Sequence, residues 1–327
     1  MQKEWGADRV NRRFIPDDAS EWVWAAPDGH RIRRIDWSPP LPGVGGADGP
    51  RGSLLFVGGL GEAYEKYLET FDHWRGQGWQ VSSADWRGQA GSGRLGHDGP
   101  VVHAVSFDVW LEDFAALWRD WASRATGPRV LVGHSMGGHL SLRAVAERRL
   151  DPLPDAVVLS APMIGIGPSF VPLAQLRMVA ALMNATGDSR RAAWRWDVDR
   201  PAALAARQQL LTHDDARYQD ELWWRRERPE ISMGPASWGW VRAALASIAV
   251  LQRPGLLETV DRPMLIFGTS ADRLVRWQAI RRAASRLPQA ELIGFGPEAR
   301  HEILRETDAV RGRALDAIDG FLDRICA

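Results

Sequence analysis

One serine in this chain sits where its hydroxyl could attack an acyl carbon. Gly133-His134-Ser135-Met136-Gly137-Gly138 follows the apolar run Arg129–Val132 and precedes a helical stretch reaching about Leu150. Gly-x-Ser-x-Gly at a strand-to-helix junction implies a turn so tight that side chains at 133 and 137 would strike backbone. The serine is held in strained dihedrals, its Oγ stands clear at the sheet edge, and a helix N-terminus points at any negative charge developing there. A serine hydroxyl needs a base within reach and an acid to orient that base.

In this arrangement the partners follow the serine in the order acid, then histidine. His301 comes from the loop opened by Gly296-Pro297 after the run Glu291–Phe295, and a helix is predicted to begin near Glu302. The other seven histidines precede the acid or occupy other loops. The acid is expected just past the run Met264–Phe267, where Gly268-Thr269-Ser270-Ala271-Asp272 supplies Asp272. Asp261 precedes that run and reads as a loop charge. No His/Cys/Asp/Glu set has zinc-site spacing, so neither a metal nor a cofactor is expected.

The elements that must position these residues alternate along the chain. Trp22–Ala26 and Ile32–Trp37 read as strands joined across Pro27-Asp28-Gly29-His30. Ser53–Val57, Gln80–Ala84, Arg129–Val132, Ala156–Leu159, Met264–Phe267 and Glu291–Phe295 are short apolar runs suited to buried strands. Between Phe107 and Ala125, apolar residues recur at i, i+3, i+4, i+7, with Ser106 placed to cap the helix. Strand–helix alternation predicts an α/β fold with a mostly parallel sheet covered on both faces. It breaks over 163–235, where helical runs (Leu173–Asn184, Pro201–Leu211) alternate with polar, Trp-bearing connections. We read 163–235 as an inserted helical cap and 1–162 with 236–327 as the core, a helix resuming at Trp238.

Composition narrows the partners. Forty-one basic residues balance 41 acidic ones in 327, which gives no general case for nucleic-acid binding. The single cysteine, Cys326, cannot form an intramolecular disulfide. The charged start to Pro16 has no apolar leader, and nowhere do about 18 apolar residues run together, so a cytoplasmic location is the expectation. The 17 tryptophans suit a Trp-rich core or an apolar substrate surface.

Several segments resemble the monoacylglycerol lipase and bacterial lysophospholipase branch of the α/β-hydrolases, sometimes grouped with serine aminopeptidases. Besides residues 133–138, Asp85-Trp86-Arg87-Gly88-Gln89-Ala90-Gly91-Ser92-Gly93 is similar to the branch's Asp-x-Arg-Gly-x-Gly-x-Ser-Gly loop. Gly59-Leu60-Gly61-Glu62 with Lys66-Tyr67 resembles its oxyanion segment, and Arg300-His301-Glu302 its catalytic-histidine motif. Position 58 is glycine where the branch often has the His of His-Gly. The resemblance implies the α/β-hydrolase fold and a carboxylester hydrolase acting on monoacylglycerol or lysophospholipid. A small-ester or amide hydrolase, aminopeptidase-like, is the alternative, with Glu230 or Asp220 to hold a substrate amine; a non-catalytic binding protein on this fold is a third. The oxyanion donors are expected to be the backbone N–H groups of Leu60 and Met136. Asp85, Arg87 and Glu62 read as loop-fixing groups. Trp194, Trp196, Trp223 and Trp224 are candidate substrate-binding residues in the cap, which could also touch a membrane surface transiently.

Overall fold

The computed structural model describes residues 10–39, 50–96, 99–167, 171–195 and 200–326. Eight strands form one sheet in the order β1-β2-β4-β3-β5-β6-β7-β8. They are β1 (Ala19–Ala25), β2 (Arg31–Trp37), β3 (Gly52–Val57), β4 (Trp79–Ala84), β5 (Arg129–His134), β6 (Ala156–Ser160), β7 (Met264–Thr269) and β8 (Ala290–Phe295). β1 and β2 enter as an antiparallel hairpin, β2 pairs antiparallel with β4, and every later pairing is parallel. β3, β5, β6 and β7 are buried almost throughout because helices cover both their faces, whereas the edge strand β8 is largely exposed.

Alternate residues of each central strand serve opposite cores. Leu55, Val57, Leu131, Val157, Leu159 and Ile266 face one side, together with α2 (Asp108–Ala122), α3 (Met136–Ala146) and α7 (Trp238–Leu251). Leu54, Phe56, Val130, Val132, Val158 and Phe267 face the other, against α1 (Leu68–Gly76) and α9 (Asp308–Ile325). The tryptophans are largely a core-building device. Trp110, Trp118 and Trp121 line the inner face of α2, and Trp74 and Trp79 fill the opposite core. Their burial removes far more apolar surface from water than aliphatic side chains would, at roughly 25 cal/mol per Å².

Between β6 and α7 the described residues form three α-helices, α4 (Leu173–Ala185), α5 (Pro201–Leu211) and α6 (Asp215–Glu227), and one 3-10 turn, Pro229–Ile231, but no strand. α8 (Trp277–Ala284) joins β7 to β8. α6 carries no apolar stripe of the predicted kind. It buries Arg217, Asp220 and Glu221 beside Tyr218 and Trp224, so ion pairs take the place of apolar packing. Two other expectations need correcting. Ser106 does not occupy the cap position of α2, which falls to Phe107, but its Oγ accepts the Asp108 N–H at 3.1 Å. The segment after His301 is one 3-10 turn, Ile303–Arg305, and the long helix starts only at Asp308.

Candidate active site

Ser135 sits between β5 and α3 at φ 51°, ψ −114°, a left-handed conformation that non-glycine residues rarely adopt. Its surroundings enforce this. A Cβ on Gly137 would run into the carbonyl oxygens of Val57 and Gly58, and one on Gly133 would stand 2.8 Å from the Gly138 backbone. The Ser135 N–H donates to the Ser160 carbonyl at 2.9 Å, while its own carbonyl accepts from His139 and Met163. Backbone bonds thus hold the strained residue from both sides.

The structure brings His301 and Asp272 to this serine. His301 Nε2 lies 2.9 Å from Ser135 Oγ, and His301 Nδ1 lies 2.7 Å from Asp272 Oδ2. The other carboxylate oxygen, Oδ1, accepts the N–H groups of Leu274 and Val275 at 2.8 and 3.0 Å. Burial opposes the Asp272 charge, but His301 and these two amides outweigh it and hold the carboxyl below its ordinary pKa. His301 is buried. Burial works against its protonated form, and the Asp272 carboxylate reverses the balance, raising the imidazole pKa above its ordinary value. Asp261 is exposed and pairs with Arg262, away from this constellation.

The loop bearing His301 is anchored on two sides. Thr269 Oγ1 donates to the carbonyls of Gly296 and Ala299 at 2.8 and 3.1 Å. From above, the carbonyls at the end of α5 accept backbone N–H groups: Leu210 from His301 at 3.5 Å and Leu211 from Glu302 at 2.9 Å.

The segment opposite Ser135 is equally determined. Gly59 approaches so closely that a Cβ there would lie 2.9 Å from the Ser135 Cβ. Glu62 Oε2 accepts the Gly59 N–H at 2.6 Å, and Gln89 Oε1 accepts the Gly61 N–H at 2.7 Å. Those two amides are committed, with the Leu60 amide between them. Met136 opens α3, where first-turn N–H groups have no intrahelical acceptor. Beneath lies a buried ion network: Lys66 Nζ is 2.8 Å from Glu62 and 2.7 Å from Glu302. Burial opposes ionisation of Glu62, but the Lys66 ammonium, and with it the Gly59 N–H, keep it a carboxylate. His134, enclosed beside it, is pushed down to about 4 by burial and stays neutral.

A cavity of about 520 Å³ opens onto Ser135 and His301. Trp194 lines it, as do Trp238 and Trp240 at the start of α7, which the sequence reading did not single out. Trp223 and Trp224 do not. Trp224 is buried in the α1/α9 core with its Nε1–H on the Arg12 carbonyl at 2.7 Å, and Trp223 packs beside it edge to face. Trp196 lies outside the described residues. Glu230 and Asp220 do not line the cavity; Glu230 is exposed, and Asp220 is bound by Arg12 and Arg13. Arg207 and Arg225 were missed altogether, because cations on polar helices look like solvent-facing charges until their burial is seen. The loop residues behave as anchors: Arg87 grips Asp113 and Asp28, and Asp85 accepts from Arg33 at 2.7 Å. Among the described residues no three or more His, Cys, Asp or Glu side chains converge as a metal site, and no helix is long and apolar enough to cross a membrane.

The profile of the serine aminopeptidase S33 family matches residues 48–308. The chain belongs to this family. It is 33% identical to lysophospholipase L2 of Escherichia coli strain K12 over 276 residues, 80% of this chain and 78% of that one. To the monoacylglycerol lipase of Mycolicibacterium smegmatis it is 30% identical over 168 residues, 50% of this chain and 55% of the relative. A soluble variant of monoglyceride lipase from Saccharomyces cerevisiae, solved with a substrate analogue, superposes with a TM-score of 0.74 at 18% identity. The match covers 99% of both chains and shows the α/β-hydrolase fold. The family member described here is accordingly a hydrolase.

Proposed function

We propose that this hydrolase cleaves the carboxylic ester of single-chain acylglycerols, lysophospholipid or monoacylglycerol, through an acyl-enzyme on Ser135. The observation that carries the reading is the chain of contacts from Asp272 through His301 to Ser135 Oγ, opening on a largely apolar cavity. Ser135 Oγ attacks the ester carbonyl carbon as His301 Nε2 takes its proton, and Asp272 steadies the imidazolium. The Leu60 and Met136 amides hold the developing oxyanion. The intermediate collapses, the C–O bond to the glycerol oxygen breaks, and that oxygen takes the proton from His301. Water, activated by the same histidine, then attacks the acyl-enzyme, releasing fatty acid and restoring Ser135. The names of the relatives above support the substrate class.

We take 163–235 as a cap over this site. Met178, Val179 and Leu182 on α4, with Trp194, are exposed apolar side chains near the cavity wall, which includes Leu176. Such a patch suits transient contact with a lipid surface. An aminopeptidase would need a carboxylate free to bind the substrate amine. Of the carboxylates in the cavity wall, Glu62 is taken by Gly59, Tyr67 and Lys66, and Glu302 by Lys66 and Arg305.

The test is a panel of lysophospholipids and monoacylglycerols of graded chain length, aryl acetates and butyrates, and aminoacyl anilides. Turnover of the long-chain glycerol esters, absent in Ser135→Ala, is expected. Turnover confined to C2–C4 esters or to anilides would overturn the reading.

A further inference from the structure

The cavity has an apolar end and a charged end. Ile166, Leu176, Trp238, Trp240 and Leu245 wall the first; Glu62, Lys66, Arg207, Arg225 and Glu302 wall the second. Glu221 and Arg305 complete a network behind the charged end. Lys66 lies 3.2 Å from Glu221, Arg207 2.6 Å and Arg305 3.3 Å from it, and Arg305 also grips Glu302. None of these seven side chains is more than 13% exposed. Among the described residues the network sets four cations (Lys66, Arg207, Arg225, Arg305) against three carboxylates (Glu62, Glu221, Glu302). A charge withheld from water without a counter-charge is costly.

Of the four cations, Arg225 makes the longest ion pair. The carboxylate within its reach, Glu221 at 3.6 Å, is closer to Arg207, Lys66 and Arg305. Burial first, and then the charge of Arg207, depress its pKa below that of an ordinary arginine. Its position suits a ligand. Arg225 Nη2 donates to the Met233 carbonyl at 2.6 Å, and Met233 packs on Gly61, where an added Cβ would stand 3.1 Å from its own. The guanidinium therefore flanks the segment that carries the Leu60 amide. Lys66 and Glu302 place the same charged end beside His301, which returns a proton to the departing alcohol. The glycerol side of a substrate thus meets cations while its acyl chain lies along the apolar wall.

We propose that Arg225, with Arg207 beside it, binds the phosphate of a lysophospholipid headgroup, making this the feature that selects phosphorylated acylglycerols over neutral monoacylglycerols. The proposal rests on the acylglycerol-ester reading above. A phosphodiester brings one negative charge to a guanidinium whose carboxylate is shared with three closer cations, and a guanidinium fork suits its paired oxygens.

The experiment compares wild type, Arg225→Met and Arg225→Lys on 1-dodecanoyl-glycerol and 1-dodecanoyl-glycero-3-phosphoethanolamine in identical detergent micelles. Arg225→Met leaves Glu221 its three closer cations, so the fold is expected to hold, with an unchanged or higher melting midpoint. It should lower kcat/KM for the phospholipid by about thirtyfold or more, as loss of one partner of a buried charge pair does. The loss on monoacylglycerol should be at least about tenfold smaller than on the phospholipid, and Arg225→Lys should restore part of the phospholipid loss. Equal effects on both substrates, or none on either, would overturn the proposal. A second arm needs no turnover: sn-glycerol 3-phosphate should slow fluorophosphonate labelling of wild type and not of Arg225→Met, and no protection of wild type counts against the subsite. If wild type cleaves neither ester, the ester reading fails, and this labelling arm still decides whether the cations bind phosphate.

Discussion

Replacing Asp272 with asparagine tests the proposed triad most sharply, because the surrounding amides dictate how the new side chain must sit. Oδ1 of Asp272 accepts two N–H groups, from Leu274 and Val275 at 2.8 and 3.0 Å. An asparagine there must keep its carbonyl oxygen toward those donors, since turning the NH2 to them would oppose donor to donor. Its NH2 then faces His301 Nδ1, where Oδ2 stood at 2.7 Å. A donor facing Nδ1 requires that nitrogen to be unprotonated and moves the ring proton to Nε2. Nε2–H then points at Ser135 Oγ and cannot accept its proton. The same inversion in a chymotrypsin-type triad costs about 10⁴ in kcat, so a fall of about 10³–10⁴ is expected here. Loss of the Asp272 charge also removes what lifts the His301 pKa against burial, so the acid limb of kcat/KM should move to lower pH. Asp261→Asn is the control: that carboxylate is exposed beside Arg262, and activity should remain within a few-fold. Ester hydrolysis from pH 5 to 9, with the melting midpoint as a folding check, makes the measurement. A folded Asp272→Asn retaining a tenth or more of wild-type activity, or the reverse ranking of the two aspartates, would refute the reasoning.

Three further outcomes follow from the same geometry. Ser135→Ala and His301→Ala should each abolish fluorophosphonate-sensitive turnover by similar factors, and the double variant should lose little more, because the three groups act as a unit. Trp194→Ala should flatten the rise of kcat/KM with acyl length, which burial of each methylene at about 0.8 kcal/mol predicts, and spare acetate esters; Trp224→Ala should instead lower the melting midpoint and depress all substrates alike. Burial holds His134 and His139 down to about 4 and about 3, below the 6.5 expected in the unfolded chain. Unfolding therefore takes up protons once the pH drops below about 6.5. Stability should fall steadily from there to pH 4, by on the order of 3 kcal/mol for each ring, read from urea midpoints across that range.

The central strands were legible because they are buried on both faces. Ser53–Val57, Ala156–Leu159 and Met264–Phe267 lack polar interruptions, and the structure extends each by only one or two residues. β1 begins three residues before the reading placed it, since Ala19, Ser20 and Glu21 lie on an edge strand with little burial to leave a pattern. The placement of Ser135, Asp272 and His301 could be anticipated because sharp turns and strand ends leave local signatures. α6 left little: its buried face sets Arg217, Asp220 and Glu221 among Tyr218 and Trp224, and periodicity arguments count the charged three as solvent-facing. For the same reason Trp223 and Trp224 looked available to a substrate when α6 in fact turns them toward the core.

Lys66 and Arg225 separate the two ways a buried charge can matter. Removing either takes one positive charge from the network, so net charge predicts equal consequences. Geometry predicts opposite ones. Lys66 Nζ stands within 3.2 Å of Glu62, Glu221 and Glu302, and is the ammonium that Glu62 Oε1 meets at 2.8 Å. In Lys66→Met, Glu62 keeps the Gly59 amide and the Tyr67 hydroxyl but loses its cation while fully enclosed. Stranding a buried charge in this way costs about 3–5 kcal/mol. The folded-state pKa of Glu62 must then rise. The wild-type benefit, held above the ordinary glutamate value of 4.5 and lost only as pH falls below it, disappears. The deficit of Lys66→Met relative to wild type should therefore be full near neutral pH and shrink on acidification, as Glu62 takes up a proton. Arg225→Met should show no deficit at either pH. Urea midpoints of the three proteins at pH 7.5 and pH 5 decide it. Equal stabilities for the two variants would mean that the pairing around Lys66 does not carry the stability assigned to it.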